Sequence, residues 1–173
     1  MIDRKNLGLL ILILVVSAAV AILNPRFLSP VNLSNTANLI GLFGIFAIAQ
    51  AFVIISGGIE LSSGSVIALL GVIFVDLVGN NVLSPLSATA LVLVLGAVIG
   101  SLHGVLIARV GLQPFVLTLC GLLIYRGVAR YYTEDATAGF AFGASFPTLE
   151  WLTTARVLGV PNSLTAMLII EIL

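Results

Sequence analysis

Ile54-Ile55-Ser56-Gly57-Gly58-Ile59-Glu60-Leu61-Ser62-Ser63-Gly64-Ser65 places glycines, hydroxyls and one carboxylate between two strongly apolar runs. A helix that simply crossed lipid would stay apolar through such a stretch. Hydrocarbon offers a peptide group no hydrogen-bond partner, so irregular backbone at membrane depth persists only where protein or a wet cavity satisfies it. Breaks of this kind build substrate pathways in transporters. The segment is therefore the expected seat of function.

Composition sets the class around it. The 173 residues are 60% hydrophobic and 8% charged, with a mean hydropathy of +1.26, whereas a soluble domain carries about 25% charged residues. The expected fold is all-α: a polytopic helical membrane protein with about five complete spanning helices, a truncated sixth, and the glycine-rich break after the second. Seven basic and seven acidic residues cancel, and no basic cluster marks a surface for nucleic acid or anionic lipid. Cys120 is the single cysteine, which excludes an intrachain disulfide and leaves it as a small packing residue. No metal-ligand cluster and no phosphate-binding loop ending in Lys-Ser or Lys-Thr is present, so neither a cofactor nor ATP hydrolysis by this chain is expected.

Arg4 and Lys5 precede an apolar run at 7–23, a pattern shared by signal peptides and first spanning helices. The run continues past Ala19-Val20-Ala21 and further spans follow, which favours an uncleaved helix. Residues 24–38, rich in Asn, Pro and Ser, read as a connector. A second span at 39–55 has Gly41 and Gly44 on one face and the amide of Gln50 within it. Residues 66–78 are short for a span but long enough when 59–65 are added, and Asp76 lies near the far end. A turn at 79–85 leads to a fourth span at 86–108, whose Gly96, Gly100 and Gly104 are expected to form one close-packing face. The fifth, 115–129, ends with Arg126 and Arg130. Residues 131–163 are polar and turn-rich, and 164–173 form an apolar run too short to span, so the chain is expected to stop inside a helix.

Within the break, Gly57 and Gly58 admit backbone conformations closed to other residues. Ser62 or Ser63 is expected to cap a helix beginning near Gly64, whose positive end would face Glu60 or a substrate hydroxyl. Gln50, Gly57, Gly58, Glu60, Ser62, Ser63, Gln113 and Thr118 are the substrate-pathway candidates. A purely structural reading stands beside this one, in which glycines pack, Glu60 caps its neighbour, and Gln50 and Thr118 bond between helices. Gln113-Pro114 suits the start of the fifth helix. His103 reads as a packed histidine rather than a proton relay, because no second histidine shares the work.

The same residues resemble a family. The break, together with Phe27-Leu28-Ser29-Pro30-Val31-Asn32-Leu33 upstream and Pro114-Phe115-Val116-Leu117-Thr118-Leu119 and Tyr125-Arg126-Gly127 downstream, is similar to the ribose-type permeases of bacterial ABC importers. The likeness runs from about Leu7 to the end, including Phe146 and Leu158-Gly159-Val160-Pro161, and covers the N-terminal half of a usual permease. It implies a single transmembrane permease domain over 1–173, incomplete at the C-terminus and lying in the bacterial inner membrane. It further implies a cytoplasmic ATP-binding subunit, a periplasmic sugar-binding protein and a second permease copy, identical or not, as partners. Two departures stand out: Glu60 where the family usually has Asp, and His103 where Asn is common. A non-transporting membrane protein that assembles with a full permease is the alternative. A secondary transporter should show a paired intramembrane acid and base, and the sequence displays no convincing pair.

Alternating crossings from a cytoplasmic N-terminus put Arg4, Lys5 and Arg109 inside but Arg26, Arg126, Arg130 and Arg156 outside, so the count of positive charges does not itself support the orientation. We expect a cysteine introduced at Ala138 to react with an impermeant thiol reagent from the outside; labelling only from the cytoplasmic side would reverse the topology.

Overall fold

The computed structural model describes residues 4–141, 143–147, 150–151, 156–157 and 160–172. Leu158 and Gly159, part of the family likeness, lie outside the described residues. The chain divides into two compact units, Met1–Ile45 with Thr154–Leu173, and Phe46–Thr153.

The first unit contains α1 (Arg4–Leu23), a 3-10 turn (Pro25–Leu28) and the N-terminal part of α2 (Pro30–Ile55). The connector expected over 24–38 is much shorter. Asn24 caps the 3-10 turn by accepting the Arg26 N–H at 3.1 Å. Ser29 accepts the Asn32 N–H at 3.3 Å, and Pro30, whose missing N–H would be unpaired there anyway, opens the helix. The Asn32 amide donates to the Phe27 carbonyl at 2.7 Å, so asparagines that suggested a loop serve a helix start instead. In the same unit a two-residue antiparallel ladder, β1 (Arg156–Val157) with β2 (Val160–Pro161), leads into α6 (Asn162–Ile172). Gly41 and Gly44 make the close approach read from sequence. A Cβ on Gly41 would collide with the Leu164 backbone, and one on Gly44 with the Met167 sulfur. The Ser163 hydroxyl reaches the Asn38 carbonyl at 3.1 Å beside this contact.

The second unit holds the end of α2 with α3 (Ser63–Gly79), α4 (Pro85–Ala108) and α5 (Pro114–Thr133). Helix α3 is the middle element, packed on both α4 and α5. Among the described residues, Asn6–Leu23, Pro30–Ile55 and Pro85–Ala108 are long and apolar enough to cross a membrane, and α3 is a shorter apolar helix. Residues 59–62 do not lengthen α3 as expected, because they are not helical. Its 17 residues extend about 26 Å at 1.5 Å per residue, less than a hydrocarbon core of about 30 Å.

The buried side chains run against the soluble pattern. Ser62, Ser65, His103 and Thr118 are buried alongside only Val78, Ala88 and Ala129 as apolar core among the described residues, while Leu9, Ile13, Phe43, Leu93 and Leu123 are exposed. That is the distribution of helices facing lipid outward and satisfying polar groups inward.

Helix α2 ends on a left-handed glycine. Gly57 has φ +80°, its N–H donates to the Ile54 carbonyl at 3.0 Å, and the Gly58 N–H donates to the Val53 carbonyl at 2.9 Å. This pair of bonds is a Schellman cap. We expect Gly57→Ala to lower stability by about 1–2 kcal/mol, read as reduced resistance to unfolding in detergent. Equal resistance would mean that α2 does not need this cap.

Candidate functional site

The beginning of α3 is built by a side chain from outside the helix. Ser62, at the N-cap position, has helical backbone angles (φ −84°, ψ −17°) and no side-chain capping bond. The capping acceptor is Glu60: its Oε1 receives the Ser62 N–H, the Ser62 hydroxyl at 2.6 Å and the Ser63 N–H at 3.1 Å. The serines therefore do not cap the helix as expected. The carboxylate does, and a negative charge at the positive end of a helix is favourable. Thr118, 1% exposed, ties the break to α5. Its hydroxyl faces the Ile59 carbonyl at 3.1 Å and the Pro114 carbonyl, one turn back in its own helix, at 2.8 Å. The Gln50 amide of α2 donates to the Ser63 hydroxyl at 2.6 Å.

The other oxygen of Glu60 faces α4. Its Oε2 lies 4.0 Å from His103 Nδ1, and His103 Nε2 lies 2.9 Å from the Tyr125 hydroxyl of α5. A Cβ on Gly121 would sit 2.9 Å from His103 Cε1, so the glycine makes room for the imidazole. An acid and a base are thus neighbours, a pairing the sequence did not reveal because 43 positions separate them.

Two cavities meet at this pair. One, of about 340 Å³, is lined by Gln50, Ser62, Ser63, Phe46, Ile67 and Leu70 among others. The second, of about 410 Å³, is lined by Ser56, Gly57, Gly58, Gly104, Pro114 and Thr118 among others. Val53, Glu60, Gly100 and His103 line both. Both volumes lie in the range of small-molecule sites, roughly 300–1,000 Å³. The glycines of α4 differ from expectation here. Only Gly96 has a close neighbour, Leu70, whereas a Cβ on Gly100 or Gly104 would meet nothing within 4 Å. They keep cavity wall open instead of forming a continuous packing face.

The structure brings together Gln50, Gly57, Gly58, Glu60, Ser62, Ser63 and Thr118. Gln113 does not join them: it is exposed and precedes α5 without a side-chain cap. Sequence reasoning missed Tyr125 and read His103 as packing alone. A signal existed for both, since Thr118, Gly121 and Tyr125 recur at helical spacing on one face of α5, and His103 stands three residues after Gly100.

A family model described as branched-chain amino acid transport system / permease component matches residues 32–170. The chain is 37% identical over 158 residues to the ribose import permease protein of Escherichia coli (strain K12), covering 91% of this chain and 49% of that protein. It is 38% identical over 128 residues to the ribose import permease protein of Bacillus subtilis (strain 168), covering 74% and 38%. Against the fructose import permease protein of Bifidobacterium longum it is 33% identical over 129 residues, covering 75% and 36%. The chain spans about half the length of the curated Escherichia coli relative. No solved structure matches it.

Thr118→Val keeps the side-chain shape but removes the hydroxyl beside the Ile59 carbonyl. We expect faster amide exchange at Gly58 to Ser62 and a loss of about 1–3 kcal/mol, the cost of a buried group left unpaired, with Thr118→Ser close to wild type. Unchanged exchange in the valine variant would remove Thr118 from the support of the break.

Proposed function

The chain belongs to the permease-component family described for branched-chain amino acid transport, and from that premise we propose that it is the membrane-embedded permease part of an ATP-driven importer for a ribose-like monosaccharide. On this reading residues 1–173 are one transmembrane permease domain of a bacterial inner membrane. A separate cytoplasmic ATP-binding subunit drives it, a periplasmic sugar-binding protein delivers the solute, and a second permease copy completes the pathway. The chain itself catalyses no reaction.

The observation that carries the reading is the pair of cavities at the break. Their polar groups are an amide, hydroxyls, one carboxylate and one imidazole, set among Phe46, Val53, Ile67, Leu70 and Ile99. That mixture suits a neutral solute with hydroxyls around an aliphatic ring. Neither cavity is lined by Lys or Arg, whereas the carboxylate of a free amino acid, taken out of water, needs a cation or several donated hydrogen bonds. The chemistry of the lining and the ribose and fructose names of the relatives favour the same solute class, against the amino acids in the family's description.

The test is a chimera in which this chain replaces the matching region of the Escherichia coli ribose import permease, in a strain lacking that permease. We expect ribose uptake to be restored and leucine uptake to be unaffected; restored leucine uptake without ribose uptake would overturn the sugar reading. Glu60→Asp should retain uptake, because a shorter carboxylate still reaches the Ser62 and Ser63 amides. Glu60→Leu should reduce uptake per folded permease to that of the strain without permease, and equal uptake would exclude this carboxylate from the pathway.

A further inference from the structure

The gap between Glu60 and His103 has the dimensions of a binding site for one hydroxyl group. Their facing atoms, Oε2 and Nδ1, are 4.0 Å apart, too far for a direct hydrogen bond. An oxygen placed about 2.8 Å from each, an ordinary hydrogen-bond length, would subtend roughly a right angle between them. That is open enough for a hydroxyl to donate to one neighbour and accept from the other. We propose that this gap holds a hydroxyl of the transported solute, which donates to Glu60 Oε2 and accepts from His103 Nδ1–H, and that His103 is thereby a specificity-determining residue. The proposal rests on the monosaccharide reading above and names the point at which that solute is read.

Three features accord with this polarity of the gap. First, Oε1 of Glu60 is committed to the start of α3 through the Ser62 and Ser63 amides and the Ser62 hydroxyl, which leaves Oε2 as the accepting atom turned to the gap. Second, the Tyr125 hydroxyl at 2.9 Å holds His103 Nε2. When that hydroxyl donates, Nε2 is the acceptor nitrogen of a neutral imidazole and the proton resides on Nδ1, facing Glu60. Third, His103 is 7% exposed, and among the described residues no hydrogen bond reaches its Nδ1, yet the residue borders both cavities. A ring nitrogen that borders both cavities and faces a carboxylate oxygen at 4.0 Å leaves room for one ligand atom or water between them.

The placement also explains why both cavities touch the same four residues. Val53, Glu60, Gly100 and His103 form the seam between them, and Gly100 has room for a Cβ that it does not carry. A solute moving from one cavity to the other passes the Glu60 and His103 pair, where a group lacking a hydroxyl would strip two polar atoms of water without replacing it.

His103 is the only histidine in the chain, so the protein labelled with ¹⁵N-histidine carries a single imidazole. The experiment titrates D-ribose into this labelled chain in lipid nanodiscs, following the two ring nitrogens by NMR and ribose binding by saturation transfer. The expected result is a saturable shift concentrated at Nδ1, with Nε2 little changed, and no such shift from L-leucine. Ribose binding without a response at Nδ1 would overturn the hydroxyl site while leaving the monosaccharide reading intact. No ribose binding would overturn both. A Nδ1 response to leucine, which has no hydroxyl, would overturn the site as well. His103→Asn retains a polar group and should weaken ribose binding by about tenfold or less, whereas His103→Leu should weaken it further; equal affinity in both folded variants and wild type would deny His103 any part in recognition.

Discussion

A peptide group left unpaired in hydrocarbon costs several kcal/mol, and the whole arrangement around the break answers that constraint. A break in a membrane helix creates two termini, each with up to four unsatisfied backbone groups. Here the carbonyls of Val53 and Ile54 are taken by the Gly58 and Gly57 amides. The amides of Ser62 and Ser63 are taken by Glu60, and Thr118 brings a hydroxyl to the Ile59 carbonyl. Each partner acts over a short reach, and together they satisfy backbone groups at both ends of the seven non-helical residues 56–62.

That solution dictates the character of the interior. Because the break must be surrounded by hydrogen-bonding groups, the largest fully buried side chains among the described residues are those of Thr118 and Ser62, where a soluble bundle would bury Leu or Ile. Large apolar side chains cover the outside of α1, α2 and α4, facing the solvent they match. Packing in lipid gains little from hiding apolar surface, so close contact comes from small residues. Gly41 and Gly44 admit α6 in the first unit, and Gly121 admits the His103 ring in the second.

How much of this was readable in the linear chain follows from the range of each interaction. The Schellman end of α2 and the carboxylate two residues before α3 are local, so the glycine pair and Glu60 could be singled out from sequence. The helical start at Pro30 was obscured by asparagines whose amides turn out to serve caps within five residues. The length of α3 was overestimated because Ile59 and Leu61 are apolar in composition but non-helical in place. Glycine spacing alone could not separate a packing face from a cavity wall. Gly96 and Gly100 look identical in the chain, and only the position of Leu70 distinguishes them. The contact of Glu60 with His103, and of His103 with Tyr125, depends on how α3, α4 and α5 are turned against one another, which no local pattern encodes.

Glu60 and His103 are spatial neighbours, and their chemistry is linked. A carboxylate at position 60 must cap α3 whatever its length. Aspartate does this through an oxygen close to the backbone, whereas the extra methylene of glutamate lets one oxygen stay on the Ser62 and Ser63 amides while the other extends toward α4. The His103 imidazole likewise carries its polar atoms away from the α4 backbone and supplies nitrogens on two sides, one toward Tyr125 and one toward Glu60. The two side chains meet at the seam between the cavities, where their facing atoms lie 4.0 Å apart. Glycine at 121 is then a steric condition of the pair, since the imidazole occupies the space that a Cβ there would take. The separation at the seam is thus set jointly by the side chains at 60 and 103 and by the absence of one at 121.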